Sequence, residues 1–201
     1  MWKITFLAAP LVQLLVDRVR LTKPLEPVQQ PSFSLDTIQQ EMERLPQGAR
    51  RLAVQLRLDM DPQWIWAVLT DYANLHRYIP NLTSSRQLWR RGNRVGLEQV
   101  GTQQICGLSF SAKVELELVE DRDAGELRFV MSQGDFRRFE GVWRIRSQGQ
   151  GDQLITSLVY ELIVQGRAGM PIGLIEQRLR DDLASNLRGV QQEARRRAGK
   201  A

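Results

Sequence analysis

Residues 69–82, LTDYANLHRYIPNL, hold the single histidine of the chain, His76, with Asp71, Tyr72 and Tyr78 close by and Pro80 ending the stretch. An imidazole near a carboxylate suggests a general base, which needs a nucleophile or an orienting acid within hydrogen-bond reach. The spacing argues against that here. Asp71 precedes His76 by five residues, which is not a same-face helical step. Asn74 and Arg77 around it mark an exposed turn. His76 is therefore read as a turn histidine, and no catalytic residue is assigned. What the stretch does offer is an apolar rim. Tyr72, Tyr78, Ile79 and Leu82, shaped by Pro80, either cap and pack the end of a helix or form a lip over a cavity mouth, and the two roles are compatible.

A second cluster is GDFRRFEG, residues 134–141, where Asp135, Arg137, Arg138 and Glu140 interleave with Phe136 and Phe139. Simple strand alternation puts Phe136 and Arg138 on one side and Arg137 and Phe139 on the other. An arginine turned inward beside a ring would orient a carboxylate or a quinone carbonyl. The competing assignment is an ion pair with Asp135 or Glu140. The spaced aromatics Trp64, Trp66, Phe110, Phe129, Trp143 and Tyr160 read first as core.

One cysteine, Cys106, and one histidine cannot build a disulfide framework or a Cys/His metal site, so neither a metal nor a cofactor is expected. Glycine loops that cradle phosphates and the G-x-S-x-G nucleophile turn are missing from the sequence. The net charge of +5 is concentrated locally, at Arg90, Arg91 and Arg94 and at Arg195, Arg196, Arg197 and Lys200. No recognition helix or RNA-binding signature accompanies these groups, so no nucleic-acid partner is expected. The terminal cluster either complements a helix dipole or meets anionic lipid.

These residues must be positioned by an alternation of elements. Residues 1–20 form an apolar segment, too short and too interrupted by Pro10, Gln13 and Asp17 for a membrane span; it reads as a peripheral helix, a helix packed on the domain, or a signal sequence. Residues 21–47 hold a proline-containing linker and then SLDTIQQEMERL, read as a short amphipathic helix capped by Ser34, with Leu35, Ile38, Met42 and Leu45 on one face. RRLAVQLRLDM alternates as a half-buried strand. Asp61-Pro62 is an N-cap followed by proline at the first helical position. From 84 to 166 the chain runs through about six strand-like segments separated by turn signals, as an antiparallel meander does. Pro171 opens a long helix whose stripe is Leu174, Ile175, Leu179, Leu183, Leu187 and Val190. The economical burial of these stripes is an α+β helix-grip arrangement: a curved antiparallel sheet of about six or seven strands around the C-terminal helix, with a hollow between them.

Three stretches carry a family resemblance: DPQWIWAVLTDYANLHRYIPNL, GDFRRFEGVWRI and MPIGLIEQRLRDDLASNL. Over residues 48–195 the chain resembles the START/Bet v 1-like superfamily. It is closest in wording to the polyketide cyclase/dehydrase and coenzyme-Q-binding branch, of the type found in cyanobacteria and plastids. The basic tail is 196–201. The resemblance implies a monomer that binds a hydrophobic small molecule, such as a lipid, prenylquinone or related isoprenoid or pigment. The residues expected to line the site are Trp64, Tyr72, Tyr78, Ile79, Phe129, Met131, Arg138, Trp143, Tyr160, Ile175, Leu179 and Leu183. The expected setting is cytoplasmic or peripheral on a membrane, met by the basic tail or the N-terminal segment. A cyclase or dehydratase using Tyr72, Arg138, Tyr160 and His76, or a protein-assembly factor, is the alternative, since one fold hosts carriers, sensors and enzymes.

Overall fold

The computed structural model describes residues 34–105, 108–167 and 172–199. The apolar segment, the proline-containing linker of residues 21–33 and Cys106 lie outside the described residues. Among the described residues eight strands and two α-helices follow one another: β1 Ile38–Arg44, β2 Arg50–Leu58, α1 Pro62–Leu69, β3 Leu82–Arg91, β4 Arg94–Ile105, β5 Leu108–Asp121, β6 Glu126–Gly134, β7 Phe136–Gln148, β8 Ile155–Gly166 and α2 Ile172–Arg197. The strands form one curved antiparallel sheet in the order β1-β2-β8-β7-β6-β5-β4-β3, with α2 against it. This is the α+β helix-grip fold expected, with one strand more than the sequence suggested.

The additional strand is β1, which replaces the expected short helix. Ile38 and Met42 are four residues apart, a spacing that serves a helix and a strand equally well. In the sheet Ile38, Gln40 and Met42 pair with Leu56, Val54 and Leu52 of β2, so the two apolar residues still face the core. As a helix the segment would leave that edge of β2 without backbone partners. Ser34 does not cap a helix; its hydroxyl meets that of Thr37 at 2.5 Å. Asp36 adopts a left-handed φ of 65° and its carboxylate accepts from Gln191 and Arg195 of α2.

Alternation along β2, β8, β7, β6, β5 and β4 sends one residue in two to the concave face, where Leu56, Leu158, Leu97 and Leu118 are buried. Leu183, Leu187, Val190 and Ala194 of α2 close over this layer. The convex face carries a charge ladder. Arg51 meets Glu161, Glu161 meets Arg144, and Glu126 pairs with both Arg144 and Arg146. The Asp61-Pro62 start of α1 is as expected, with the Gln63 N–H donating to Asp61 Oδ1 at 2.8 Å.

Helix α2 runs through Arg195, Arg196 and Arg197, and all three bind within the domain. Arg195 reaches Asp36 at 3.1 Å, Arg196 reaches Glu193 at 2.7 Å, and Arg197 reaches Asp71 at 2.6 Å. Two hydrogen bonds from arginines, first Arg196 and then Arg197, outweigh the effect of burial and hold the Glu193 carboxyl down at about 2. Toward its other end α2 is held by Glu176, which accepts from Arg44 at 3.0 Å and Arg50 at 2.6 Å.

Candidate functional site

Five aromatic rings stand side by side on the concave face of β6, β7 and β8. Phe136 meets Phe139 with ring centres 5.3 Å apart, Phe139 meets Phe129 at 5.8 Å, and Phe129 meets Tyr160 at 6.1 Å. Tyr160 lies flat on Trp143, its direct cross-strand partner, at 4.0 Å and 2° between planes. Phe129 and Tyr160 are buried, whereas Phe136, Phe139 and Trp143 are only half-buried. Gly141 makes the wall possible. A β-carbon there would come within 2.6 Å of the Phe129 ring, which lies across the space that a side chain would fill.

Phe136 and Phe139 share a face because of a β-bulge. Phe136 pairs with Gly166 and Arg138 with Gln165, so Arg137 is the extra residue. The bulge reverses the alternation expected from GDFRRFEG. Phe139, opposite the buried Val164, faces inward, and its neighbour Arg138 faces the convex side. There the Arg138 guanidinium donates to Glu140, with Nε 3.0 Å from Oε1. The expectation of Arg138 in the ligand site is thus corrected to the ion-pair assignment. The two phenylalanines take the inward positions that simple alternation divides between the two faces.

The stretch that holds His76 is anchored against the sheet and α2. Tyr72 is 2% exposed and its hydroxyl donates to Glu120 at 2.6 Å, while Arg90 grips the same carboxylate through two nitrogens at 2.8 and 3.0 Å. Burial, and then the Glu120 carboxylate, push the Tyr72 phenol far above its ordinary range. Burial also opposes ionisation of Glu120, but the bonds from Arg90 and Tyr72 outweigh it and hold the carboxyl low. Tyr78 donates to the Val68 carbonyl at 2.7 Å, at the end of α1. Its backbone carbonyl rests directly on Gly189 of α2. Ile79 and Leu82 are half-buried against the core, as is Trp64. His76 is exposed in a single 3-10 turn, as its sequence context suggests.

Residues 58–188 match the family described as polyketide cyclase / dehydrase and lipid transport. The chain belongs to this family. Solved structures share its START-like fold. A STAR-related lipid transfer protein from Xanthomonas axonopodis is 12% identical, with a TM-score of 0.68 over 82% of this chain and 97% of that one. The Zhui aromatase/cyclase from Streptomyces sp. R1128 is 14% identical, with a TM-score of 0.64 over 75% and 96%. A START superfamily protein from Mycobacterium smegmatis is 19% identical, with a TM-score of 0.52 over 71% and 97%. At these identities the likeness is one of fold. Among curated proteins no sequence match is found.

Within this family fold the expected site residues divide into groups. Phe129, Trp143 and Tyr160 belong to the aromatic wall, with Met131 on the same face of β6, cross-strand from Leu116. Leu183 is buried on α2 and Leu179 half-buried. The side chain of Ile175 lies outside the described residues. Tyr72, Tyr78, Ile79 and Trp64 belong to the packing of α1 and its following turn. Two surface clefts lie elsewhere. One of about 610 Å³ lies between the start of α1 and the β5–β6 turn, lined by Pro62, Trp66, Arg122 and Arg146. The other, about 370 Å³, lies among Asn74, Tyr78 and Arg197. Neither includes a residue of the aromatic wall.

Proposed function

We propose that the protein binds and carries a hydrophobic small molecule, a lipid, prenylquinone or related isoprenoid or pigment, between the sheet and α2. The observation that carries this reading is the aromatic wall. Phe129 and Tyr160 are buried, while Phe136, Phe139 and Trp143 pack against the core and stay half-buried on the concave face of the sheet. A contiguous, partly uncovered apolar surface in a concavity is the usual lining of a small-molecule site. The fold's occurrence in a lipid transfer protein and in an aromatase/cyclase supports a ligand of this class.

Binding is favoured over catalysis by the fate of the four acid–base candidates. Tyr72 is committed to Glu120, Arg138 to Glu140 on the convex face, and His76 is exposed in a turn. Tyr160 alone remains on the wall, and a cyclase or dehydratase would need a second group beside it. One chain supplies the whole wall, so a monomer suffices. Among the described residues no helix is long and apolar enough to cross a membrane. With Arg195, Arg196 and Arg197 bound to carboxylates of the domain, peripheral contact with a membrane falls to residues 1–20. Mass spectrometry of an organic extract from the natively purified protein tests the reading. A co-purifying apolar molecule near one per chain is expected. An empty extract, together with failure to bind any apolar probe, would sink it.

A further inference from the structure

The chain has three tyrosines, and their hydroxyls have different fates. Tyr72 donates to Glu120 and Tyr78 to the Val68 carbonyl. The Tyr160 hydroxyl has no hydrogen-bond partner among the described residues, although the residue is only 7% exposed. The hydroxyl is not one of the fully buried unpaired polar atoms, which among the described residues are Arg51 Nε and Asn186 Oδ1, so its oxygen keeps some accessible surface on the concave face. Phenylalanine at this position would keep the ring on Trp143 and the contact with Phe129. The fold makes no use of the hydroxyl, which stands as an accessible donor among aromatic rings.

Its surroundings define what would pair with it. Burial alone raises its phenol above the ordinary range, with no carboxylate or guanidinium contributing, so at neutral pH it is an uncharged O–H. Arg138, the cation expected to hold a carboxylate here, is on the opposite face of the sheet. The wall thus presents a neutral donor in aromatic surroundings, suited to a neutral acceptor and poorly suited to a fatty-acid carboxylate.

We infer that the Tyr160 hydroxyl donates a hydrogen bond to a neutral carbonyl oxygen, ketone, quinone or ester, of an apolar ligand whose body lies on the aromatic wall. Tyr160 is then the specificity-determining residue of the site. This rests on the hydrophobic-ligand reading above, and the experiment separates the two.

Acetonaphthone and ethylnaphthalene share a ring system and nearly a volume, and differ by one carbonyl oxygen. Each is titrated by calorimetry into the full-length wild type, Tyr160→Phe and Phe139→Ala. Tyr160→Phe is expected to weaken the ketone about five- to tenfold, the worth of one hydrogen bond, and to leave the hydrocarbon unchanged. Its melting temperature without ligand is expected to match that of the wild type. Phe139→Ala is expected to weaken both probes. Equal effects of Tyr160→Phe on the two probes would overturn the inference while leaving the hydrophobic-ligand reading intact. So would a lower melting temperature of the unliganded variant, because the hydroxyl would then have a partner in the fold. If neither probe binds the wild type, the inference fails, and the organic extract of the native protein decides the hydrophobic-ligand reading separately.

Discussion

Replacing Gly189 by alanine sets two opposite effects against each other inside α2. Alanine is favoured over glycine in a helix interior by about 1 kcal/mol. The tertiary fold opposes the change. A β-carbon at this position would overlap the Tyr78 carbonyl oxygen and stand 3.1 Å from the Tyr78 carbonyl carbon and 3.4 Å from Pro80 Cδ. Carbon atoms rest at about 3.5–4.0 Å from each other, and a backbone carbonyl cannot swing aside as the end of a long side chain does. This backbone is also held from several directions. The Tyr78 N–H donates to the Leu75 carbonyl at 3.2 Å, the Tyr78 hydroxyl to Val68 at 2.7 Å, and Asn81 to Asp182 at 2.9 Å. Overpacking against such a support costs about 3 kcal/mol, the upper end of the usual range. The net expectation is a loss of about 2 kcal/mol, or a fall in melting temperature of about 4–8 °C for a domain of this size. Differential scanning calorimetry of Gly189→Ala against wild type measures it, with Gln192→Ala on the exposed face as a control that should stay within about 0.5 kcal/mol. A Gly189→Ala protein that melts at or above the wild-type temperature would refute the argument, because helix propensity would then have outweighed the contact with the Tyr78 carbonyl.

Tyr72→Phe removes the hydroxyl that donates to Glu120 but leaves Arg90 on that carboxylate; urea unfolding is expected to show a loss of about 2 kcal/mol. Glu193 lies at about 2 in the folded protein against an ordinary value of 4.5, so its contribution to stability is complete above pH 4.5 and is lost as the pH falls toward 2. Acid unfolding of Glu193→Gln is expected to show a shallower decline across that window, and an unchanged acid profile would remove Glu193 from the account. Arg138→Ala is expected to leave the binding of apolar probes unchanged, because its partner Glu140 is on the convex face, whereas Phe139→Ala on the wall should weaken it about tenfold. Reversal of that order would place the ligand on the wrong side of the sheet.

The periodicities of the sequence determined most of the architecture. Two-residue alternation in RRLAVQLRL and in the segments from 84 to 166 dictates half-buried strands, because only a strand puts every second side chain on one face. The spacing of Leu179, Leu183, Leu187 and Val190 dictates the inward stripe of α2, and Asp61-Pro62 fixes the start of α1. Periodicity could not decide residues 38–44, since Ile38 and Met42 fit both repeats. Pairing with the free edge of β2 decided between them. Nor could it decide the faces of GDFRRFEG, because a bulge is a property of two strands, and Arg137 is the extra residue only by comparison with Gly166 and Gln165 on β8. The three tyrosines show the same limit. As residues they are equivalent, and each combines a ring with a donor. Only tertiary structure placed Glu120 beside Tyr72 and the end of α1 beside Tyr78, and gave the Tyr160 hydroxyl aromatic neighbours and no partner among the described residues.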